Sequence, residues 1–231
     1  MSTPIVTALL REPGEVAARC ERPEGLRRLA TTSLCCLVLG AALFGGVVGS
    51  FRGGMQIGYS AIKLPLALLT TLVVAVPAFF ALTIGFGGRT TFRGVAALSL
   101  AASARGALVL VGCAPLLWLA VDRGLAYHAS VMLATVMYLA SGLAALGIVL
   151  RGLDGSVRAV ATAAACALVF FGVLGQTAWM LRPFFGRPSQ TTIPFVRPPE
   201  GTLADALVRS SKSAVGVYDR ADSDRGEESR P

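Results

Sequence analysis

The chain has 231 residues, of which 54% are hydrophobic and only 15% are charged, and its mean hydropathy is +0.67. Soluble domains carry about 25% charged residues, and here every acidic residue except Asp122 and Asp154 lies up to Glu24 or from Glu200 onward. The middle of the chain therefore has too little charge to cover a water-facing globule, which indicates an integral membrane protein. The net charge of +8 does not indicate nucleic-acid binding, because the cations are scattered between apolar runs.

A polar segment, residues 1–28, precedes the apolar part of the chain. Its prolines limit helices to two short pieces, which we expect at Ile5–Arg11 and Gly14–Arg22. Five apolar runs follow, each long enough to cross a bilayer, and they cover residues 29–48, 64–86, 94–121, 125–150 and 159–181. The sequence therefore predicts an all-α fold, a polytopic membrane bundle of about five transmembrane helices within residues 29–182.

The first connection between spans, Ser50–Lys63, is mixed in polarity and is predicted to be a loop. Just before it, Gly45 and Gly49 form a GxxxG pattern, which allows a second helix to approach closely. We expect such glycine-rich faces to contact other membrane proteins. In the second span Pro65 suits a first helical turn, whereas Pro77 predicts a kink.

The third run carries Arg105 near its middle. It is either one long tilted span, or an in-plane amphipathic piece up to Arg105 followed by a short span. A cation at the bilayer centre costs about 2.5–3.5 kcal/mol on insertion scales. Arg105 therefore either lines a cavity, where it would bind an anion or a lipid headgroup, or extends its side chain to the interface.

Residues 183–231 change in character, and we expect an extended segment, a short helix at Thr202–Val215 and a disordered C-terminal tail. Cations near the spans indicate the topology, because cytoplasmic loops carry an excess of Lys and Arg. Nine of these cations lie on the same side of the membrane as the N-terminus, namely Arg11, Arg19, Arg22, Arg27, Arg28, Arg89, Arg93, Arg151 and Arg158. The opposite side has six, namely Arg52, Lys63, Arg123, Arg182, Arg187 and Arg197. We therefore expect a cytoplasmic N-terminus and an external C-terminus.

Residues that could carry catalysis are few. The single histidine, His128, borders a span beside Tyr127, which favours an interfacial polar role over that of a base. The sequence contains no acidic pair within a span and no nucleotide-binding, hydrolase or metalloprotease motif. Its five cysteines form no CxxC pair, so we expect no disulfide, no metal site, no cofactor and no enzymatic activity.

Three stretches resemble known families. The second and third spans with their linker, IGFGGRTTFRGVAALSLAASARGALVLVGCAPLLWL, resemble the Yip-type five-span membrane family, in which a Gly-rich basic loop and a Phe-Arg pair lead into a span ending near an Ala/Val-Pro-Leu. The motifs SFRGGMQIGYSAIKLPL and GQTAWMLRPFFGRP more closely resemble an uncharacterised group of bacterial five-span proteins. That group has SF-x-GG-x-Q-x-x-Y-x-A-x-K-x-P before the second span and RPF-x-G-x-P after the last.

The resemblance runs from about Leu29 to about Val215 and implies a Yip-like helical bundle, which in a bacterium belongs to the cell inner membrane. It implies no catalytic residues. In eukaryotes Yip-type proteins are associated with membrane trafficking and small GTPases, and for this chain such a role would be an analogy of fold alone.

Polar residues at helical spacing mark further candidate sites. Gln56, Tyr59 and Lys63 would share one face if their segment is helical, and that face would either bind a partner or headgroup or lie in the interface. Gln176 and Arg182 lie at the end of the fifth span, where Gln176 should hydrogen-bond to another helix as structural glue.

These features favour a non-enzymatic integral membrane protein that scaffolds, organises or helps to assemble components of the bacterial envelope. Its expected partners are the lipid bilayer and other membrane proteins, with no nucleic acid. The alternative is a transporter or channel subunit for a small or anionic solute, in which Arg105, Pro77 and Gln176 line a path, although spans without acidic residues offer no ion-coupling site. An intramembrane enzyme is a third possibility, and the sequence gives it no nucleophile–base pair.

Overall fold

The computed structural model of the protein describes residues 4–153, 157–185 and 195. In this part of the chain the backbone forms seven helices, which are α1 (Ile5–Arg11), α2 (Pro13–Glu21), α3 (Leu26–Ser50), α4 (Met55–Gly85), α5 (Phe92–Asp122), α6 (Tyr127–Gly152) and α7 (Val157–Leu181). The expected helix at Thr202–Val215 and the expected disordered tail lie outside the described residues.

The helices α3 to α7 are long and apolar enough to cross a bilayer, with mean hydropathies between 1.9 and 2.3 over their most apolar stretches. At 1.5 Å per residue, even a 24-residue helix is about 36 Å long, which exceeds the hydrocarbon core of about 30 Å. The prediction of an all-α, five-span membrane bundle is confirmed.

The second span begins earlier than predicted. The assignment of Ser50–Lys63 to a loop was wrong, because α4 starts at Met55 and continues to Gly85. Pro65 consequently lies inside the helix and not in its first turn. The start of α4 has low hydropathy, which predicted a loop. Its polar side chains are buried against other parts of the protein, so the helix includes them.

The third span is a single helix. α5 runs without interruption from Phe92 to Asp122 and includes both Arg105 and Pro115. The Thr91 side chain caps its first turn by accepting a hydrogen bond from the Gly94 backbone N–H at 3.1 Å. Of the two alternatives left open by the sequence, the long span is therefore the one that forms.

The transmembrane helices reverse direction at each connection, so the bundle has two ends. We call the end at which α3, α5 and α7 begin the near end, and the opposite end the far end. α3 packs against α4 and α5, α6 packs against α5, and α7 packs mainly against α4. Although α6 and α7 are consecutive in the chain, they have few contacts with each other, and a cleft separates them.

The two short helices cover part of the near end. α1 has the predicted bounds and α2 begins one residue before the predicted start. Both pack against α5, and α2 also packs against α6. Ala8, Leu9 and Val16 are completely buried there, so the amino-terminal segment is an integral part of the folded protein and not a free polar arm.

Glycines bring α3 and α4 into backbone contact. A β-carbon at Gly49 would lie 2.7 Å from the Cα atom of Ile57, and one at Gly45 would lie 2.9 Å from the Ser60 carbonyl carbon. Such distances are shorter than real carbon contacts, so only glycine fits at both positions. The GxxxG face does allow close helix approach, as predicted, but a helix of the same chain occupies it.

Candidate functional site

Three polar side chains form one buried face at the start of α4. Gln56, Ser60 and Lys63 are spaced by four and three residues, which places them above one another on a helix. Their exposed fractions are 4%, 0% and 0%. Buried polar groups require hydrogen-bond partners, and these three find theirs 120 or more residues later in the chain.

The partners are the backbone carbonyls of the segment that follows α7. Lys63 Nζ donates to the Pro183 carbonyl at 3.0 Å, and Ser60 Oγ donates to the Phe184 carbonyl at 2.7 Å. Gln56 Nε2 faces both carbonyls, at 3.2 Å from Pro183 O and 2.9 Å from Phe184 O, and lies 3.2 Å from Ser60 Oγ. We call this arrangement of five residues the latch.

The orientation of the Gln56 amide follows from its surroundings. Its nitrogen faces three oxygen acceptors, and the reversed amide would place an acceptor against acceptors. The Gln56 Oε1 atom is buried and has no hydrogen-bond partner among the described residues. The latch is thus rich in donors, and its chemistry suits the holding of carbonyl or other oxygen acceptors.

An aromatic ring lies beside the latch ammonium. Lys63 Nζ is 5.0 Å from the centroid of Phe195, a distance at which a cation is attracted to a ring face. Tyr59 stands against the same ring, with centroids 5.2 Å apart and planes at 84°. Tyr59, which the sequence grouped with Gln56 and Lys63, therefore contacts Phe195 in place of the two latch carbonyls.

Further aromatic rings surround the segment held by the latch. Phe185 packs edge-on against Phe51 and Tyr127, with centroid distances of 6.1 and 6.3 Å. Phe51 and Tyr127 also contact each other at 5.7 Å, and His128 lies edge-on to Tyr127 at 5.3 Å. These contacts join the far ends of α3 and α6 to the segment after α7.

The remaining candidates, Gln176 and Arg182, lie on the last turns of α7 and directly after it. The Arg182 guanidinium stacks on the Trp179 ring with its Cζ atom 3.6 Å from the centroid, a contact that the three-residue spacing allows. Gln176 lies half-buried on the same helix. Its bond to another helix stays a prediction.

Arg105 lies inside α5, away from the latch. Its Nη1 atom is buried and has no hydrogen-bond partner in the described part of the chain. Arg151 at the near end of α6 is close enough to act on it electrostatically, and it is a like charge. Since Arg151 lies at the end of its span, this neighbourhood favours the interpretation in which Arg105 extends toward the near-end interface.

Sequence reasoning found Gln56 and Lys63 but missed Ser60, Pro183 and Phe184. Ser60 completes an i, i+4, i+7 series with the other two, so the helical spacing itself was the available signal. Pro183 and Phe184 lie in the motif RPF-x-G-x-P, but the motif does not indicate that their carbonyls accept hydrogen bonds, because every residue has a carbonyl.

A second feature of the bundle is the cleft between α6 and α7, whose back wall is formed by α4 and α5. It consists of two cavities of about 400 and 440 Å³, which share Ser103, Leu139, Gly142, Ala145, Phe170 and Phe171 among their lining residues. The first cavity reaches Thr83 and Gly152 at the near end, and the second reaches Phe184 and Phe185 at the far end. The walls are almost entirely apolar.

Comparison of the chain with protein-family models, curated protein sequences and solved structures gives no match.

Proposed function

We propose that this chain is a non-enzymatic membrane protein that scaffolds or helps to assemble other components of the bacterial inner membrane. The observation that carries the proposal is the use of the latch. The backbone carbonyls of Pro183 and Phe184 accept the hydrogen bonds that Gln56, Ser60 and Lys63 donate. These polar side chains are therefore not available to line a path for a solute. They fix the point at which the chain leaves the membrane.

A fixed exit point suits a scaffold, because a polar tail anchored at one place on the membrane surface costs a partner less ordering entropy on binding. The residues after Phe195 include the proline-rich and charged end of the chain. In the proposed topology, with the N-terminus cytoplasmic and the C-terminus outside, this tail and the latch face the external side.

The resemblance to the bacterial five-span group is part of the proposal. Its two specific motifs are distant in sequence, one around Gln56 to Lys63 and the other around Pro183 and Phe184. The latch joins residues of one motif to residues of the other. A pair of motifs that contact each other supports a shared Yip-like fold, and the partners proposed for the chain are other membrane proteins that bind outside the Gly45–Gly49 face.

The second candidate is a transporter or channel subunit for a small anionic solute. The observation that favours it is the buried Nη1 atom of Arg105, which lacks a hydrogen-bond partner in the described residues. Against it stand the apolar walls of both cavities, because an anion crossing them would lose its hydration without compensation.

The test compares a latch variant, Gln56→Leu with Ser60→Ala, with Ile148→Ala, a core substitution close to the end of α6 and so at the near end of the bundle. Membranes are extracted in mild detergent, and the size of the protein's complex is read by native electrophoresis. A scaffold predicts a complex larger than the single chain that is lost in the latch variant and kept in Ile148→Ala at equal abundance.

The transporter alternative has its own readout in the same study. Purified protein is reconstituted into phosphatidylcholine vesicles that contain a chloride-sensitive dye. The scaffold proposal predicts no anion flux above that of empty vesicles. Flux that disappears in Arg105→Ala, together with a wild-type protein that forms no larger complex, would replace the proposal with the transporter.

A further inference from the structure

The cleft between α6 and α7 is a place where the bundle does not fill its own interior. α7 packs mainly on α4 and leaves α6, so the opening faces the bilayer between two spans. Cavities of about 400 and 440 Å³ are many times larger than a single water site. In a membrane such a space requires an occupant, because a void of this size loses the packing contacts of its lining.

Water is a poor occupant. Four hydroxyl side chains contribute to the lining of the first cavity, which is otherwise almost entirely apolar. Two of them already donate hydrogen bonds to their own helices. Thr83 Oγ1 donates to the Phe79 carbonyl at 2.7 Å, and Ser99 Oγ donates to the Val95 carbonyl at 2.8 Å. A buried water needs two to four polar partners, so an apolar occupant is favoured over solvent.

A transmembrane helix of a partner is too large. Midway along the cleft Phe171 of α7 reaches α6, because a β-carbon at Gly142 would lie 3.2 Å from Phe171 Cζ. A helix 10–12 Å across therefore cannot pass between the two spans at that level. A single acyl chain is slender, flexible and apolar, and the bilayer supplies it at the opening.

The two ends of the cleft differ. At the far end Phe184 and Phe185 form part of the wall, and the latch holds Phe184 there through two hydrogen bonds. At the near end the lining includes Thr90, and the adjoining residue is the exposed cation Arg89. The cation at the near end suits an anionic headgroup. An acyl chain that descends from it through one leaflet, about 15 Å deep, would fill the first cavity and end near the level at which the two cavities meet.

From these observations we propose that the protein binds one phospholipid, with an acyl chain in the cleft between α6 and α7 and its phosphate at the near end beside Arg89. Such a lipid would fill the space between α6 and α7. This binding site is independent of the scaffold proposal, because a transporter with the same fold would hold the lipid equally well.

The test uses full-length protein extracted in mild detergent and examined by native mass spectrometry. Gly142 lines both cavities, and a β-carbon there would lie 3.2 Å from Phe171 Cζ, so Gly142→Leu fills the cleft at the point where the cavities meet. Ala167→Leu fills the first cavity from the opposite wall. The matched control is Ala140→Leu, which adds the same side chain on the lipid-facing side of α6.

Wild-type protein and Ala140→Leu should retain one phospholipid. Gly142→Leu and Ala167→Leu should lower the retained fraction at least about tenfold, since displacement of two methylene groups already loses that much binding. Arg89→Ala should lower it less, through the headgroup alone. If Gly142→Leu does not accumulate, Ala167→Leu decides the result.

Wild-type protein without bound phospholipid would overturn the proposal. So would equal retention in Ala167→Leu and Ala140→Leu, because the lipid would then lie on the outer surface of the bundle. Unchanged retention in Arg89→Ala would contradict the placement of the phosphate.

Discussion

Lys63 Nζ lies 3.0 Å from the carbonyl oxygen of Pro183, and this hydrogen bond joins the start of α4 to the segment after α7. In the described residues no carboxylate forms an ion pair with Lys63, and its charge is stabilised by this carbonyl and by the Phe195 ring. The membrane-spanning segments therefore carry a buried cation whose role is positional. Several outcomes depend on that arrangement.

Removal of both neutral latch donors should lower the free energy of unfolding by more than the sum of the two single effects. Gln56→Leu or Ser60→Ala alone leaves one donor on the Phe184 carbonyl and should cost about 1 kcal/mol of unfolding free energy. The double variant leaves that carbonyl buried and without a donor, which adds a desolvation penalty of about 1–3 kcal/mol. Denaturant unfolding of the four proteins in mixed micelles gives the coupling energy, and strict additivity would mean that the two side chains do not share an acceptor.

Substitution of Gly49 should disrupt the contact between α3 and α4. A side chain at Gly49 would overlap the backbone of Ile57, and overpacking of this kind costs about 1–3 kcal/mol or more. Gly49→Ala should therefore lower thermal stability in detergent by several degrees. Gly46→Ala is the matched control, since its nearest neighbour is the Ile57 Cγ2 atom at 3.8 Å, and equal effects of the two changes would contradict the packing.

The span count and the helical class could be predicted from the sequence, because long apolar runs have few other solutions in a bilayer. α1 was predicted with its observed bounds, since prolines limit it on both sides. The start of α4 was not predictable from hydropathy. Gln56, Ser60 and Lys63 look like an aqueous loop until the carbonyls of Pro183 and Phe184 are known to cover them, and that pairing is a tertiary contact that no local pattern encodes.

Arg105 distinguishes the two proposed functions. If its side chain extends to the near-end interface, Arg105→Lys should accumulate normally and Arg105→Leu should be neutral or mildly stabilising, because the insertion cost of about 2.5–3.5 kcal/mol is removed. If it binds an anion, both variants should lose cellular function at unchanged abundance, since lysine lacks the planar fork of arginine. Paired measurements of membrane abundance and phenotype decide between these outcomes.

Cys20 reports on the packing of α2 at the near end. It is 3% exposed, and burial, with a smaller contribution from Glu21, raises the pKa of its thiol to about 12. The thiolate is the reactive form, so Cys20 should resist maleimide at pH 7.5 until the protein is unfolded, whereas the new thiol of Arg22→Cys, at an exposed position, should react at once.

Because the pKa of the Cys20 thiol in the folded protein lies above the unfolded value of about 8.5, the contribution of this group to stability is complete below about pH 8.5 and decreases as the pH rises toward 12. Rapid labelling of native Cys20 would mean that α2 does not stay packed on the bundle.

The latch itself can be tested with a photo-crosslinking amino acid at position 185. p-Benzoylphenylalanine in place of Phe185 keeps an aromatic ring next to Phe51 and Tyr127. In membranes the wild-type background should give an intramolecular cross-link to the peptides that contain Phe51 or Tyr127, and the Gln56→Leu, Ser60→Ala background should lose most of it at equal protein abundance. A cross-link of equal yield in both backgrounds would show that the segment after α7 is held without the latch, and the central claim would be wrong.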